Sequence, residues 1–434
     1  MKYYSTNGTA PIADLHKAVV KSLAEDRGLY MPEKIKTLPQ VFFDDIEKLS
    51  FQDIAYNVAS AFFGEDVDLD ALKDIVYDTL SFDCPVVQVK ENIYTLELFH
   101  GPTLAFKDVG ARFMARLLQY FIKQEGKNEQ VNVLVATSGD TGSAVANGFL
   151  GVDGIHVYVL YPKGKVSPIQ ECQFTTLGKN ITAIEVDGVF DDCQALVKNA
   201  FMDAELNQHM KLTSANSINV ARFLPQAFYY FNAYARMKEQ GKADNLVMCV
   251  PSGNFGNICA ALFGHEMGLP IKRFIAANNA NDIFYKYLQT GKDEPKPSKQ
   301  TLANAMDVGD PSNFARIYDL YGKSHERITS LISGATYTDN QIRETMRQCY
   351  QDTKYILDPH GACGYQALVD GLKEDEVGVF CETAHPAKFK EKVDDILGID
   401  VTIPDRLAAF MRGEKQSVPM SKDFADFKQY LLSK

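Results

Sequence analysis

Strands that run straight into polar, glycine-bearing loops and then into helices constrain this chain more than any other feature. Val131-Asn132-Val133-Leu134-Val135-Ala136 runs into Thr137-Ser138-Gly139-Asp140-Thr141-Gly142, and a small-residue helix follows from Ser143. Residues 246–250 run into Pro251-Ser252-Gly253-Asn254-Phe255-Gly256-Asn257 and a helix through Met267. Residues 377–381 run into Glu382-Thr383-Ala384-His385-Pro386. Further strands are predicted at 155–160, 181–186 and 273–277, and helices at 190–202 and 224–238. Such alternation predicts an α/β fold of parallel sheets with helices on both faces. Ligands in such sheets bind beyond the carboxyl ends of the strands. The three loops are therefore expected to meet in one site.

A chain of 434 residues exceeds one simple core. We divide it at 1–90, an N-terminal subdomain; 91–220, a domain with a reactive lysine and a substrate loop; and 221–434, a domain with a phosphate loop. Helical periodicity at 14–23, 51–63 and 69–80 makes the first part mostly helical. The stretch 289–300, rich in Lys, Asp, Pro and Ser, reads as a linker. A formal net charge of −11 argues against nucleic-acid and anionic-membrane partners. No apolar run reaches the roughly eighteen residues of a membrane span, and the first residues lack the apolar core of a secretory signal. The eight cysteines form no Cys-x-x-Cys, which predicts reduced, mostly buried thiols and a cytoplasmic setting. The eight histidines show no zinc spacing, so no catalytic metal is expected.

Lys107 closes the stretch His100-Gly101-Pro102-Thr103-Leu104-Ala105-Phe106-Lys107-Asp108, just ahead of an amphipathic helix. The dipole's positive end and an apolar setting both lower an amine's pKa, and a neutral amine attacks carbonyls. By spacing alone, a surface lysine after a turn is the commoner reading. Gly253 and Gly256 let backbone approach an anion, with helix N–H groups behind them, so Gly253, Asn254, Phe255, Gly256 and Asn257 read as a phosphate cradle or as a tight turn. Thr137, Ser138, Gly139, Asp140 and Thr141 offer hydroxyls and N–H groups suited to a substrate carboxylate, or to a helix cap. Asn216, Ser217, Asn219 and Arg222 bring amides, a hydroxyl and a guanidinium suited to phosphate, although a loop with a solvated arginine has the same pattern.

The stretch 100–108 closely resembles the cofactor-lysine segment of threonine synthases, pyridoxal-phosphate enzymes of the tryptophan-synthase-β type (fold type II). Thr137–Gly142, Gly253-Asn254-Phe255-Gly256-Asn257, Asn216-Ser217-Ile218-Asn219 and Glu382-Thr383-Ala384-His385-Pro386 extend the likeness, as do Tyr4-Ser5-Thr6 and Gly28-Leu29-Tyr30-Met31-Pro32. The family often has arginine after Ser-Thr, where Asn7 stands here. The resemblance implies a pyridoxal 5'-phosphate cofactor lying between two α/β domains and carried by Lys107. It further implies a cofactor phosphate in the 253–257 loop and the Thr383 hydroxyl at the pyridine nitrogen. The 137–141 loop is then for the substrate, and Asn216, Ser217, Asn219 and Arg222 for the substrate's own phosphate. The implied reaction takes O-phospho-L-homoserine and water to L-threonine and phosphate, on a monomer or homodimer. A related lyase, such as a threonine dehydratase or cysteine synthase, and a catalytically silent homologue are the alternatives. An ionised Asp140 would repel the cofactor's phenolate oxygen, so Asp140 is expected to be protonated or turned away. His360, in Asp358-Pro359-His360-Gly361, is expected to shape the pocket.

Overall fold

The computed structural model describes every residue except Lys127. Five parallel strands form one sheet, in the spatial order 418–421, 181–187, 155–162, 131–136 and 211–214. A second sheet orders 332–336, 273–278, 246–251, 377–382, 93–97 and 86–90, parallel except for the last strand. A small antiparallel sheet of 13–14, 2–5 and 30–32 joins the helices Leu15–Lys21, Phe51–Phe63 and Leu69–Thr79 at the N-terminus. This part is thus a mixture of helix and strand.

Alternation along the central strands explains how each sheet is covered. Successive strand side chains point to opposite faces. Leu134, Ala136, Tyr158 and Leu160 pack with Leu196, Phe427 and Leu431 on one face of the first sheet. Val133, Val135, Val157 and Val159 face the other way, into the largest apolar cluster. Leu246, Met248 and Val250 of the second sheet enter that same cluster, while Val247 and Cys249 turn to a third. The helices Lys107–Glu125, Ala227–Glu239 and Gly256–Glu266 lie in the shared cluster and join the two sheets.

Sheet membership is not ordered by the chain. Strand Ile93–Glu97 belongs with strands beyond residue 245, and strand Val418–Ser421 with those between 131 and 214. Division at 90/91 and 220/221 is therefore a proposal about folding units rather than a description of the sheets. The helix expected over 224–238 is instead a 3-10 turn, Leu224–Gln226, followed by Ala227–Glu239. Pro225 has no N–H for a regular helical bond there. Short strands such as Lys211–Ser214 and Ile332–Thr336 lie at sheet edges and lack the apolar runs that reveal central strands.

Arg316 ties the N-terminal sheet to this body. Its guanidinium is fully buried. It donates to the Tyr30 carbonyl from Nε (3.1 Å) and Nη2 (2.9 Å), to the Ile218 carbonyl (2.6 Å) and to Asn313 Oδ1 (2.8 Å). It also sits 4.1 Å from the Phe223 ring centroid. Arg316→Met leaves those buried acceptors unpaired, at about 1–3 kcal/mol for each one that finds no water. The urea midpoint is expected to fall accordingly; an unchanged midpoint contradicts the clamp.

Candidate active site

Lys107 is the first residue of the helix Lys107–Glu125 rather than one ahead of it. The preceding residue has no side-chain cap, and Asp108 reaches back instead. Its carboxyl accepts from the Thr103 hydroxyl (2.6 Å) and the Thr103 N–H (3.0 Å). The segment is stitched to the chain beyond strand Val377–Glu382. Phe106 N–H donates to the Thr383 carbonyl (2.8 Å) and His385 N–H to the Leu104 carbonyl (3.0 Å), around a bridge between Ala105 and Ala384. Lys107 Nζ, partly accessible, donates to Thr141 Oγ1 at 2.9 Å. Burial pushes its pKa down to about 8; Asp140 opposes that shift, while Arg222 and Lys388 add to it. A neutral amine is thus accessible near neutral pH.

Strand Leu246–Pro251 delivers the glycine loop, where Phe255 adopts φ +67° and the helix Gly256–Glu266 begins. A Cβ on Gly253 would lie 2.8 Å from the Ala305 carbonyl oxygen and 2.9 Å from Met306 Cα. The backbone here runs against backbone, which only glycine permits. The Phe255 ring is buried against Phe284 at 4.6 Å, so only its main chain is free for a ligand. Asn254 is exposed, and its carbonyl accepts from Asn313 N–H (3.1 Å). Asn257 accepts from Tyr230 through Oδ1, and its buried Nδ2 has no partner among the described residues.

The other two loops divide between structure and chemistry. Thr137 Oγ1 accepts from Gly139 N–H (2.9 Å) and Gly142 N–H (2.8 Å), so this hydroxyl shapes the loop. Gly139, at φ +153°, leaves room for the Gln170 side chain, which a Cβ would strike at 2.7 Å. Ser138 is exposed and Thr141 partly so. Asn219 is fully committed: Nδ2 donates to the Val19 carbonyl (2.8 Å) and the Ser214 carbonyl (3.2 Å), and Oδ1 accepts from Ala221 N–H (3.0 Å). Asn216 and Ser217 are partly exposed, and Ser217 lies against Gly256, bringing its loop to the glycine cradle. Arg222 is buried one helical turn beyond Lys107, against Gly110. It donates to the Ala215 carbonyl, and its Nε has no partner. Burial lowers its pKa to about 10, outweighing the opposing influence of Tyr229 and Asp108.

Asp140 is ionised rather than protonated. Burial pushes its carboxyl up, but Lys388 and Lys107 outweigh that and hold it below the ordinary range. Lys388 Nζ lies 2.5 Å from Asp140 Oδ1, and Gln170 Nε2 donates to the same oxygen at 3.0 Å. Sequence reasoning missed Lys388 and Gln170. The available signal was a lysine enclosed by Ala387 and Phe389 directly after a candidate motif. His360 has both nitrogens engaged: Nδ1 faces Asp358 Oδ2 at 2.5 Å, and Nε2 accepts from Ala305 N–H at 3.0 Å. It fixes the strip of backbone that packs on Gly253. Thr383 is buried at the end of its strand, its hydroxyl bonded to no other described residue.

These groups fit the cofactor implied by the motifs. An amine of lowered pKa, a glycine cradle at a helix start, an unpartnered amide and an uncommitted hydroxyl are the donor set it needs. Among the described residues, no group of three or more His, Cys, Asp or Glu could hold a metal ion. The two glycines differ testably. A Cβ on Gly256 meets the Asn313 amide at 3.3 Å and Ser217 at ordinary contact distance, 3.6–3.7 Å, and the amide side chain can yield where backbone cannot. Gly253→Ala is expected to weaken pyridoxal phosphate at least about tenfold, or about 1.4 kcal/mol, and Gly256→Ala much less. Spectral titration decides; equal effects contradict the cradle.

Known proteins resemble this chain along its length. Residues 2–80 match the family model for the threonine synthase N terminus. Residues 78–381 match that for pyridoxal-phosphate dependent enzymes, and 361–431 the C-terminal model of threonine synthase. The chain is 44% identical over 432 residues to the threonine synthase of Haemophilus influenzae and 41% identical over 433 residues to that of Escherichia coli, each pair covered completely. The crystal structure of threonine synthase from Escherichia coli superposes with a TM-score of 0.93 over all of both chains. That of pyridoxal-phosphate-bound threonine synthase from Brucella melitensis, 34% identical, also gives 0.93, covering 100% of this chain and 99% of that one. A pyridoxal-phosphate-dependent aspartate racemase, 15% identical with a TM-score of 0.52, covers 74% of this chain and 95% of that one and shares the fold alone. Matched along its whole length in sequence and in fold, the chain belongs to the threonine synthase family of pyridoxal-phosphate-dependent enzymes.

Proposed function

We propose that this protein converts O-phospho-L-homoserine and water into L-threonine and phosphate. The observation that carries the reading is Lys107. Lys107 is partly exposed, its amine has a lowered pKa, and it is held by the neutral hydroxyl of Thr141. When bound, pyridoxal phosphate supplies an electron sink for negative charge developing on the amino-acid substrate. Lys107 holds the cofactor covalently and, once released, removes and returns protons as the mobile base of the site. The main-chain N–H groups of 253–257 and the start of the following helix hold the cofactor phosphate. The Thr383 hydroxyl, uncommitted among the described residues, would hold the cofactor's ring without supplying a charge to it. Ser138 and Thr141, with the N–H groups of their loop, take the substrate carboxylate, while Thr137 and Gly139 set the loop's shape.

Arg222, with Asn216 and Ser217, takes the substrate's phosphate; Asn219 holds that loop in place. What supports this assignment is an unpartnered guanidinium nitrogen on a buried cation, in a protein whose overall charge repels anions. Every group invoked comes from one chain, so a monomer or a homodimer suffices. The eight free thiols support a reducing cytoplasmic setting. No helix among the described residues is long and apolar enough to cross a membrane.

Cofactor-loaded enzyme incubated with O-phospho-L-homoserine is expected to release threonine and phosphate in equal amounts. Absence of phosphate release contradicts the reaction. Losing a charge-assisted bond costs about 1.5–3 kcal/mol, or roughly 10- to 150-fold. Arg222→Ala should lower kcat/KM for this substrate by that factor and leave cofactor affinity nearly intact. Unchanged kcat/KM would place the substrate phosphate elsewhere.

A further inference from the structure

Two lysines converge on two consecutive residues. Lys107 Nζ donates to Thr141 Oγ1 at 2.9 Å, and Lys388 Nζ meets Asp140 Oδ1 at 2.5 Å. The anion of the pair therefore goes to the lysine that no motif assigns. Lys388 is completely buried and also donates to the Thr103 carbonyl at 2.8 Å. It belongs to the turn Pro386–Phe389, whose start is capped by His385: Nδ1 accepts from Ala387 N–H at 3.0 Å. Burial pushes His385 down to about 4, which keeps the ring neutral and able to accept. Asp140 opens the helix Asp140–Phe149, where N–H groups and the dipole favour an anion. Gln170 Nε2 donates to the same oxygen, Oδ1, at 3.0 Å.

We infer that Lys388 is a positioning residue: by engaging Asp140 in a buried ion pair it keeps that carboxylate from the reactive amine, which is left with a neutral hydroxyl. The inference rests on the reading of Lys107 as the cofactor-bearing amine. A carboxylate left uncompensated beside Lys107 would stabilise its ammonium form and hold the nucleophile protonated. Asp108, Asp140, Arg222 and Cys172 are the other titratable or charged groups around the two lysines. Asp108 is spent on Thr103 and is pushed up by burial. Arg222 adds positive charge that also lowers the pKa of the amine. Burial also raises Cys172, so this thiol stays neutral. Lys388 is thus the cation in contact with Asp140. Stability alone is a weak reason for such a pair, since a buried ion pair is often no better than apolar packing.

The test follows cofactor capture, not turnover. Full-length protein is stripped of cofactor and mixed with pyridoxal phosphate over the neutral to alkaline range. The initial rate of visible absorbance then reports the fraction of neutral Lys107. Lys388→Met is expected to move the midpoint of this profile up by about one pH unit, a tenfold loss of rate on its acid side. Lys388→Arg should keep the wild-type midpoint. Asp140→Asn should move it down, because both lysines then face each other uncompensated. The double variant Lys388→Met/Asp140→Asn should return toward wild type. A midpoint unmoved in Lys388→Met overturns the inference, as does one unmoved or raised in Asp140→Asn, which carries the test should Lys388→Met fail to fold. Lys107→Ala, run in parallel, should capture no cofactor covalently; capture there would overturn the assignment of Lys107 itself, whatever the midpoints do.

Discussion

Two segments far apart in the chain, 103–107 and 383–388, are bound to each other through their main chains, and the site hangs on that pairing. Phe106 and His385 each donate an N–H across it, and Lys388 reaches back to the Thr103 carbonyl. Gln173 donates to the same carbonyl (3.1 Å), and Tyr229 donates to the carbonyl of Phe106. The lysine that closes one segment and the threonine that opens the other are thereby set by hydrogen bonds of well-defined length rather than by a loop's average position. Because strand Val377–Glu382 belongs to one sheet and the helix after Lys107 packs between both, the site inherits the rigidity of both layers. Precision of this kind is what a reaction dependent on orientation requires.

Charge at this junction is arranged pair by pair. Buried ionised groups are costly unless paired and hydrogen-bonded, and each one here is treated differently. Asp140 is paired with Lys388. Asp108 is raised by burial and bonded to Thr103. Glu382, directly before Thr383, is driven far above the ordinary carboxylate range by burial and by nearby Asp358, so it is neutral. The residue directly before Thr383 is therefore not an anion. Asp358 stays ionised: burial opposes this, but His360 and the N–H of Gly361 prevail. Arg222 Nε has no partner among the described residues, which supports the proposal that an anionic substrate group is held there.

Central strands were legible because they are runs of apolar residues buried on both faces, as at 131–136 and 246–251. Helices with a clear apolar stripe, Phe51–Phe63 and Phe190–Met202, were legible for the matching reason. Edge strands such as Val418–Ser421 were not, since their placement is decided by the partner strand and not by their own pattern. In the site, the loop glycines could be read from local chain geometry and Lys107 from the resemblance of its stretch, since spacing alone favoured a surface lysine. Lys388 could not, because its role comes from Asp140, 248 positions away in the chain and beside it only after folding. The same holds in reverse for Thr137 and Asn219: their residue types suit a ligand, yet the fold spends their polar atoms on neighbouring backbone.

The account makes Lys107, and not its buried neighbour Lys388, the attachment point. Reduction of the cofactor-loaded protein with borohydride, followed by peptide mass spectrometry, tests that most directly. The reduced cofactor is predicted on the peptide containing Lys107 and on no other. Recovery of the label on Lys388, or on any third lysine, would contradict the site as described.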